Sequence, residues 1–203
     1  MRISDLSRSS GVPVPTIKFY LREGLLAPGK STARNQAIYN DSHLRRIRLI
    51  RVFTVIAQMD LSSVRKLLSA IDNNKLSMRQ LYGVVHSTLS TGRVEHSGAE
   101  AHAADVDAFI KGLGWKVPER CPGKEILASV LAALARTGGR SDVELLAPYA
   151  QAVEQLIATD LALLPEQGQG NDPSSAVVTA VLLEIAFIAL RRMALEHHLD
   201  LRG

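Results

Sequence analysis

Hydroxyl, ammonium, phenol and guanidinium groups follow one another along a short stretch of this chain, at Thr16, Lys18, Tyr20 and Arg22. A few residues on, the chain supplies Lys30, Arg34, Asn35 and Tyr39, and then Arg45, Arg46 and Arg48. Such groups donate to phosphate oxygens and to the edges of bases. Charge follows the same division. Residues 1–70 hold twelve Lys/Arg against four Asp/Glu, and residues 71–203 hold twelve against sixteen, within a chain of net +4. A basic head on a mildly acidic body points the head toward a polyanion. The competing reading is a solvated basic surface with no partner.

Other chemistries find little support. No Gly-rich phosphate loop, nucleophile elbow, H-E-x-x-H pair or facing carboxylates occur, so no catalytic residues are expected and the chain reads as not an enzyme. Cys121 is the single cysteine, so no disulfide framework or thiolate metal site can form within one chain. The histidines His86, His96 and His102 fall near one another in sequence, but the default for them is solvation or hydrogen bonding. Neither a metal nor a cofactor is expected. The start lacks the apolar run of a signal peptide, which fits a cytoplasmic location. The apolar stretch 174–190 is short for a membrane span and carries Glu184 near its middle, so no membrane is expected.

The head needs elements that hold its cations outward. Ile3, Leu6 and Val12 predict a first helix, capped by Ser4 and broken at Gly11. A second runs from Pro13 or Pro15 to Glu23, with Ile17, Tyr20 and Leu21 on one face and Gly24 after its end. The stretch 28–40 is long enough for a small β-hairpin, with Ala37, Ile38 and Tyr39 as its strand. Asp41 or Ser42 then caps a helix reaching about Ala57, and Ser62 caps another through Ile71. Met78, Leu81, Val85 and Leu89 predict a fifth helix over 77–91, whose single apolar stripe wants a partner. Residues 92–102 and 164–173 read as loops. Further helices are expected at 103–113, 124–137, 142–164 (restarted near Pro148) and 174–199. The last is apolar nearly all round to Leu190, which predicts burial on most sides.

The segment I-S-D-L-S-R-S-S-G-V-P-V-P-T-I-K-F-Y-L-R-E-G-L-L-A-P resembles the N-terminus of the MerR family of bacterial regulators. The resemblance continues through T-A-R-N-Q-A-I-Y-N-D-S-H-L-R-R-I-R-L-I-R and ends at L-S-S-V-R-K-L-L, covering about residues 1–70. Lys18 stands where many relatives have Arg, and Phe19-Tyr20 where they often have two tyrosines. Ala37 replaces a common wing arginine, which shifts that phosphate contact to Arg34 and Asn35. The N-Q-A-x-Y wording resembles an actinobacterial subfamily. The resemblance implies a winged helix-turn-helix, a homodimer held by the helix after it, and a palindromic double-stranded DNA site between promoter elements. It also implies RNA polymerase as the partner at the promoter.

The fold class expected is mainly α: a winged helix-turn-helix with a hairpin wing at 1–75, a short dimerisation helix at 76–92, and an all-helical effector body at 93–203. That body can share the dimer contact, with 174–199 as a candidate. It can also hold an apolar or cationic inducer, with Trp115, Tyr149, Glu184 and Phe187 as lining residues. Plain core is the alternative for each apolar one, and an arginine partner is the alternative for Glu184. Two functions stay open: a ligand-responsive regulator, and a repressor or architectural DNA-binding protein with no small effector.

Overall fold

The computed structural model describes residues 1–33, 36–73, 75–90, 98–163 and 173–201, without the side chains of Ala33 and Ser90. Nine α-helices and one hairpin follow in this order among them: α1 (Ile3–Ser10), α2 (Val14–Arg22), β1 (Lys30–Ala33), β2 (Gln36–Ile38), α3 (Asp41–Arg51), α4 (Leu61–Asp72) and α5 (Met78–Ser90). After these come α6 (Glu100–Gly112), α7 (Pro122–Arg136), α8 (Ala147–Ala162) and α9 (Pro173–Asp200). They form two compact units, Met1–Leu81 with Gly170–Gly203, and Tyr82–Gln169. The mainly helical class with an N-terminal hairpin matches the sequence reading. Of the loop readings over 92–102 and 164–173, residues 92–97 and 164–172 lie outside the described residues, while 100–102 are already helical as the first turn of α6 and Pro173 opens α9.

In the first unit the helix starts are set by whichever acceptor reaches back. The backbone N–H of Arg2 donates to the Asp5 carboxylate at 2.9 Å, so the cap of α1 falls at Arg2, two residues before the expected Ser4. Gly11 closes α1 at φ 66°, a backbone few side chains tolerate. Pro15 sits in the first turn of α2, where its missing N–H costs nothing. Asn40, rather than Asp41 or Ser42, caps α3 through its side-chain oxygen and the His43 N–H. Asp60, rather than Ser62, caps α4, accepting from the backbone N–H groups of Ser62 at 2.8 Å and Ser63 at 3.0 Å. Those bonds and the two serine hydroxyls hold the Asp60 carboxyl far below the usual carboxylate range, the Ser62 hydroxyl contributing most.

α1 packs on both α2 and α3. Leu6, Ile17, Ile47, Ile50 and Phe53 are fully buried there, as are Val64 and Leu67 of α4. Where the sequence predicts one helix from Asp41 to Ala57, α3 loosens at Val52 into a π-turn through Ile56. That turn leaves Val55 and Ile56 more than half exposed and is followed by Gln58 at φ 50°. β1 and β2 pair antiparallel, with Lys30 opposite Ile38 and Ser31 opposite Ala37. The Tyr39 N–H donates to the Met1 carbonyl at 2.8 Å, pinning the hairpin to the chain start. Gly29 lets the strands close: a Cβ there would lie 2.8 Å from the Ile38 carbonyl oxygen.

The second unit is built on α6 against α7, with Val106, Ile110, Ala128 and Leu131 as its buried centre. Phe109, Leu127 and Trp115 pack on that centre. A short 3-10 turn, Val143–Leu146, leads into α8, which carries Pro148 in its first turn. The expected restart near Pro148 therefore corresponds to a real change of helix type.

α9 corrects the sequence reading most clearly. Ser174, Ala176, Val177 and Val181 are buried, and the helix contacts α4 of the same unit. Beyond them the burial stops. Leu190 is 62% exposed, and Met193, Leu195 and Leu199 are more than half exposed. The helix is long and apolar enough to cross a membrane by length and composition, yet it is not the mostly buried core helix that its composition predicts.

Candidate nucleic-acid interface

α2 is amphipathic across a narrow cylinder. Ile17 and Tyr20, three residues apart, turn inward and are buried. Lys18 and Arg22, four apart, are exposed on its outer side, and Thr16 is half-buried. Phe19 is half-buried as well, with the Arg22 guanidinium 5.4 Å from its ring centre. That contact, with a 3.7 Å approach of the Arg22 Nε to the Glu23 carboxylate, orients the arginine while leaving it 71% exposed. Phe19 is the outward aromatic of the pair. Its neighbour Tyr20, which the sequence reading aims at DNA, is 7% exposed and packs in the core. Only the hydroxyl end of such a residue can face outward.

The wing residues separate in the same way. Lys30 is exposed, Ala37 half-buried and Tyr39 buried, its ring edge-on to His43 at 5.2 Å. Arg34 and Asn35 lie outside the described residues. Ala37 faces the Gly29 position, where an added Cβ would stand 3.1 Å from the Ala37 Cβ.

α3 carries Arg45 and Arg48, both exposed. Arg46, expected beside them as a phosphate ligand, is committed elsewhere. Its two terminal nitrogens donate to the Asp72 carboxylate at 2.9 and 2.8 Å, and its Nε donates to the Leu25 carbonyl at 2.9 Å. One planar cation thereby ties α3, α4 and the turn after α2 together. Its side chain is 21% exposed. Sequence reasoning could not separate it from its neighbours, because three arginines in four positions look alike until helix phase is known. Arg65 makes a lesser tie to Glu23, donating to its carbonyl at 3.2 Å.

The ligand candidates fall in different places. Trp115 is half-buried on the second unit's core, its indole N–H donating to the Glu154 carboxylate at 2.7 Å. Tyr149, on α8, is half exposed. Glu184 and Phe187 lie on α9 in the other unit, and both are exposed. The expectation of a buried carboxylate at Glu184 is therefore corrected: solvent reaches it, and it also has an interaction partner. Of the histidines read together, His86 approaches Cys121 around Gly123, where a Cβ would meet both side chains. Among the described residues no three such donors cluster, and His96 lies outside them.

Residues 1–71 match the family model described as MerR HTH family regulatory protein. A curated relative, the HTH-type transcriptional regulator ZntR homolog of Haemophilus influenzae, is 31% identical over 85 residues. That alignment covers 42% of this chain and 62% of the relative. Among solved structures, SCO5550 from Streptomyces coelicolor A3(2), described as a candidate transcriptional regulator, aligns at TM-score 0.70 and 31% identity. It covers 98% of this chain and 95% of its own. The regulator PbrR691 from Ralstonia metallidurans CH34, solved with lead(II), aligns at 29% identity over 56% of this chain and 77% of its own, at TM-score 0.38.

Proposed function

The chain belongs to the MerR family of DNA-binding transcription regulators, and from that premise we propose that it works as a cytoplasmic homodimer on a palindromic promoter site. The observation that carries this reading is the outer side of α2. Lys18 and Arg22 are exposed there on a rigid helix whose inner side, Ile17 and Tyr20, is locked in the core. A short helix so held can enter the major groove, with Thr16, Lys18 and Arg22 at base edges or phosphates. Tyr20 and Tyr39 add their hydroxyls at the margin. Arg34 and Asn35 of the wing, with Lys30, take the adjacent backbone. Arg45 and Arg48 neutralise further phosphates.

A two-fold palindrome matches a two-fold dimer. α5 supplies one contact for it, and the exposed apolar end of α9 supplies a second. An effector held in the helical unit then biases the dimer between two DNA geometries, and RNA polymerase engages one of them. Deforming 20–30 base pairs costs of order 1–6 kcal/mol, a size that differential ligand binding can supply.

The test is protection of the DNA upstream of the protein's own gene and its neighbours, across a salt series. A single protected palindrome whose affinity falls steeply with salt is the expected result. Weak binding without a preferred site, at every salt concentration, would refute the reading.

A further inference from the structure

The second unit has an open cleft of about 420 Å³ between the end of α6, the segment 114–117 and the first turn of α7. Its size falls within the range of small-molecule sites. One wall is apolar and fixed. Trp115 is packed on the core formed by Val106, Ile110, Ala128 and Leu131, and its indole N–H is held by Glu154 at 2.7 Å. Ile110 and Val117 continue that wall. A ring held on one side by the core and at its N–H by Glu154 offers a flat apolar surface at little entropic cost to a ligand.

The rest of the cleft is cationic. Lys111, Lys116 and Lys124 line it against a single lining acid, Asp107. Asp107 is already taken: Lys124 lies 2.8 Å from its carboxylate, with the lysine side chain 20% exposed. Lys111 and Lys116 are exposed and have no ion-pair partner among the described residues. Glu154 does not itself line the cleft. Lys124 also belongs to the first turn of α7, whose helix dipole adds partial positive charge.

We propose that this cleft is the effector site and that it takes a small amphipathic carboxylate, its apolar body on Trp115 and its anion between Lys111 and Lys116. The assignment rests on the regulator reading above for its consequence but on the cleft alone for its chemistry. It departs from the apolar or cationic inducer that the sequence suggests. A cation would meet two unpaired ammonium groups, and a purely apolar ligand would leave them unused.

Trp115 is the only tryptophan of the chain, so its emission reports on this cleft alone. The full-length protein would be titrated with 4-phenylbutyrate and, in parallel, with the uncharged 4-phenylbutyramide. The expected result is a saturable emission change with the acid and binding about tenfold weaker or worse with the amide, the scale of a lost charged hydrogen bond. Lys111→Glu with Lys116→Glu, both at exposed positions, should weaken the acid to the same degree while circular dichroism stays unchanged. Equal binding of acid and amide, a titration unaffected by the double substitution, or no saturable change with the acid would each overturn the site. The same titrations would be repeated with the protected promoter DNA present. Saturation of Trp115 with no change in DNA affinity would overturn the effector role and leave the regulator standing. Failure of the unliganded protein to select any DNA site would bring down the regulator reading while the Trp115 titration still decides the cleft.

Discussion

Lys18 illustrates what one exposed side chain on a rigid helix should do. It has little to lose in folding, since it lies on the outer side of α2, and Ile17 and Tyr20 hold the inner side. Lys18→Ala should therefore leave thermal unfolding nearly unchanged and weaken DNA binding at specific and non-specific sites alike. In a dimer two phosphate contacts go at once, so the slope of log affinity against log salt should shrink by about 2. Fluorescence anisotropy over a salt series measures this, and an unchanged slope would remove Lys18 from the interface. At the residue scale the sequence was half legible. Residue types pick out Lys18 and Arg22, which the fold leaves exposed, but alternation along the chain also marks Tyr20 as outward, and Tyr20 is buried. The spacing of three from Ile17 to Tyr20 held the right answer, and packing enforces it. Arg46 was not legible at all, because its fork-shaped bond to Asp72 joins residues 26 apart.

Elements were easier to read than their ends. From α1 to α5 apolar periodicity predicts the helices, because the stripes that define it are the ones that become buried, and the later helices fall at or near their expected ranges. Caps were misplaced by one or two residues at α1, α3 and α4, where several eligible side chains stand side by side and only geometry chooses. Asp60 shows the consequence of that choice. Its carboxyl is held far below the usual range by the Ser62 and Ser63 donors. A carboxylate depressed in the folded state adds stability that is present above its unfolded value, about 3.9, and is lost as pH falls through the folded one. Asp60→Asn keeps an acceptor but removes the charge, so the variant should be less stable than the parent at pH 7. The gap should narrow steadily below about pH 4. Urea unfolding at pH 7 and pH 3 measures it, and a gap that is the same at both values would show that the charge is not what the cap uses.

At the scale of the molecule, α9 is where composition and structure part. A helix with apolar residues on every side reads as buried, and the first turns obey: Val177 and Val181 have no exposure. The remaining turns carry Leu190, Met193, Leu195 and Leu199 into solvent within this chain, which no sequence pattern distinguishes from burial in its own core. Apolar side chains so arranged are stable in water only if something covers them. In the proposed homodimer, a second copy of the same helix is the covering available. In the proposed homodimer α5, with 13 residues and less than two full heptads of seam, would give only a small contact by itself. Leu190→Glu with Met193→Glu, three apart on one side of the helix, would place two charges per chain in that contact without touching the buried turns near α4. The dimer should then dissociate about a hundredfold more readily, the scale of an unpaired buried charge. Sedimentation velocity would show the monomer at concentrations where the parent is dimeric, and binding to a full palindrome would fall toward that of a half-site. A variant that stays fully dimeric would assign the assembly to α5 and leave the end of α9 for another partner.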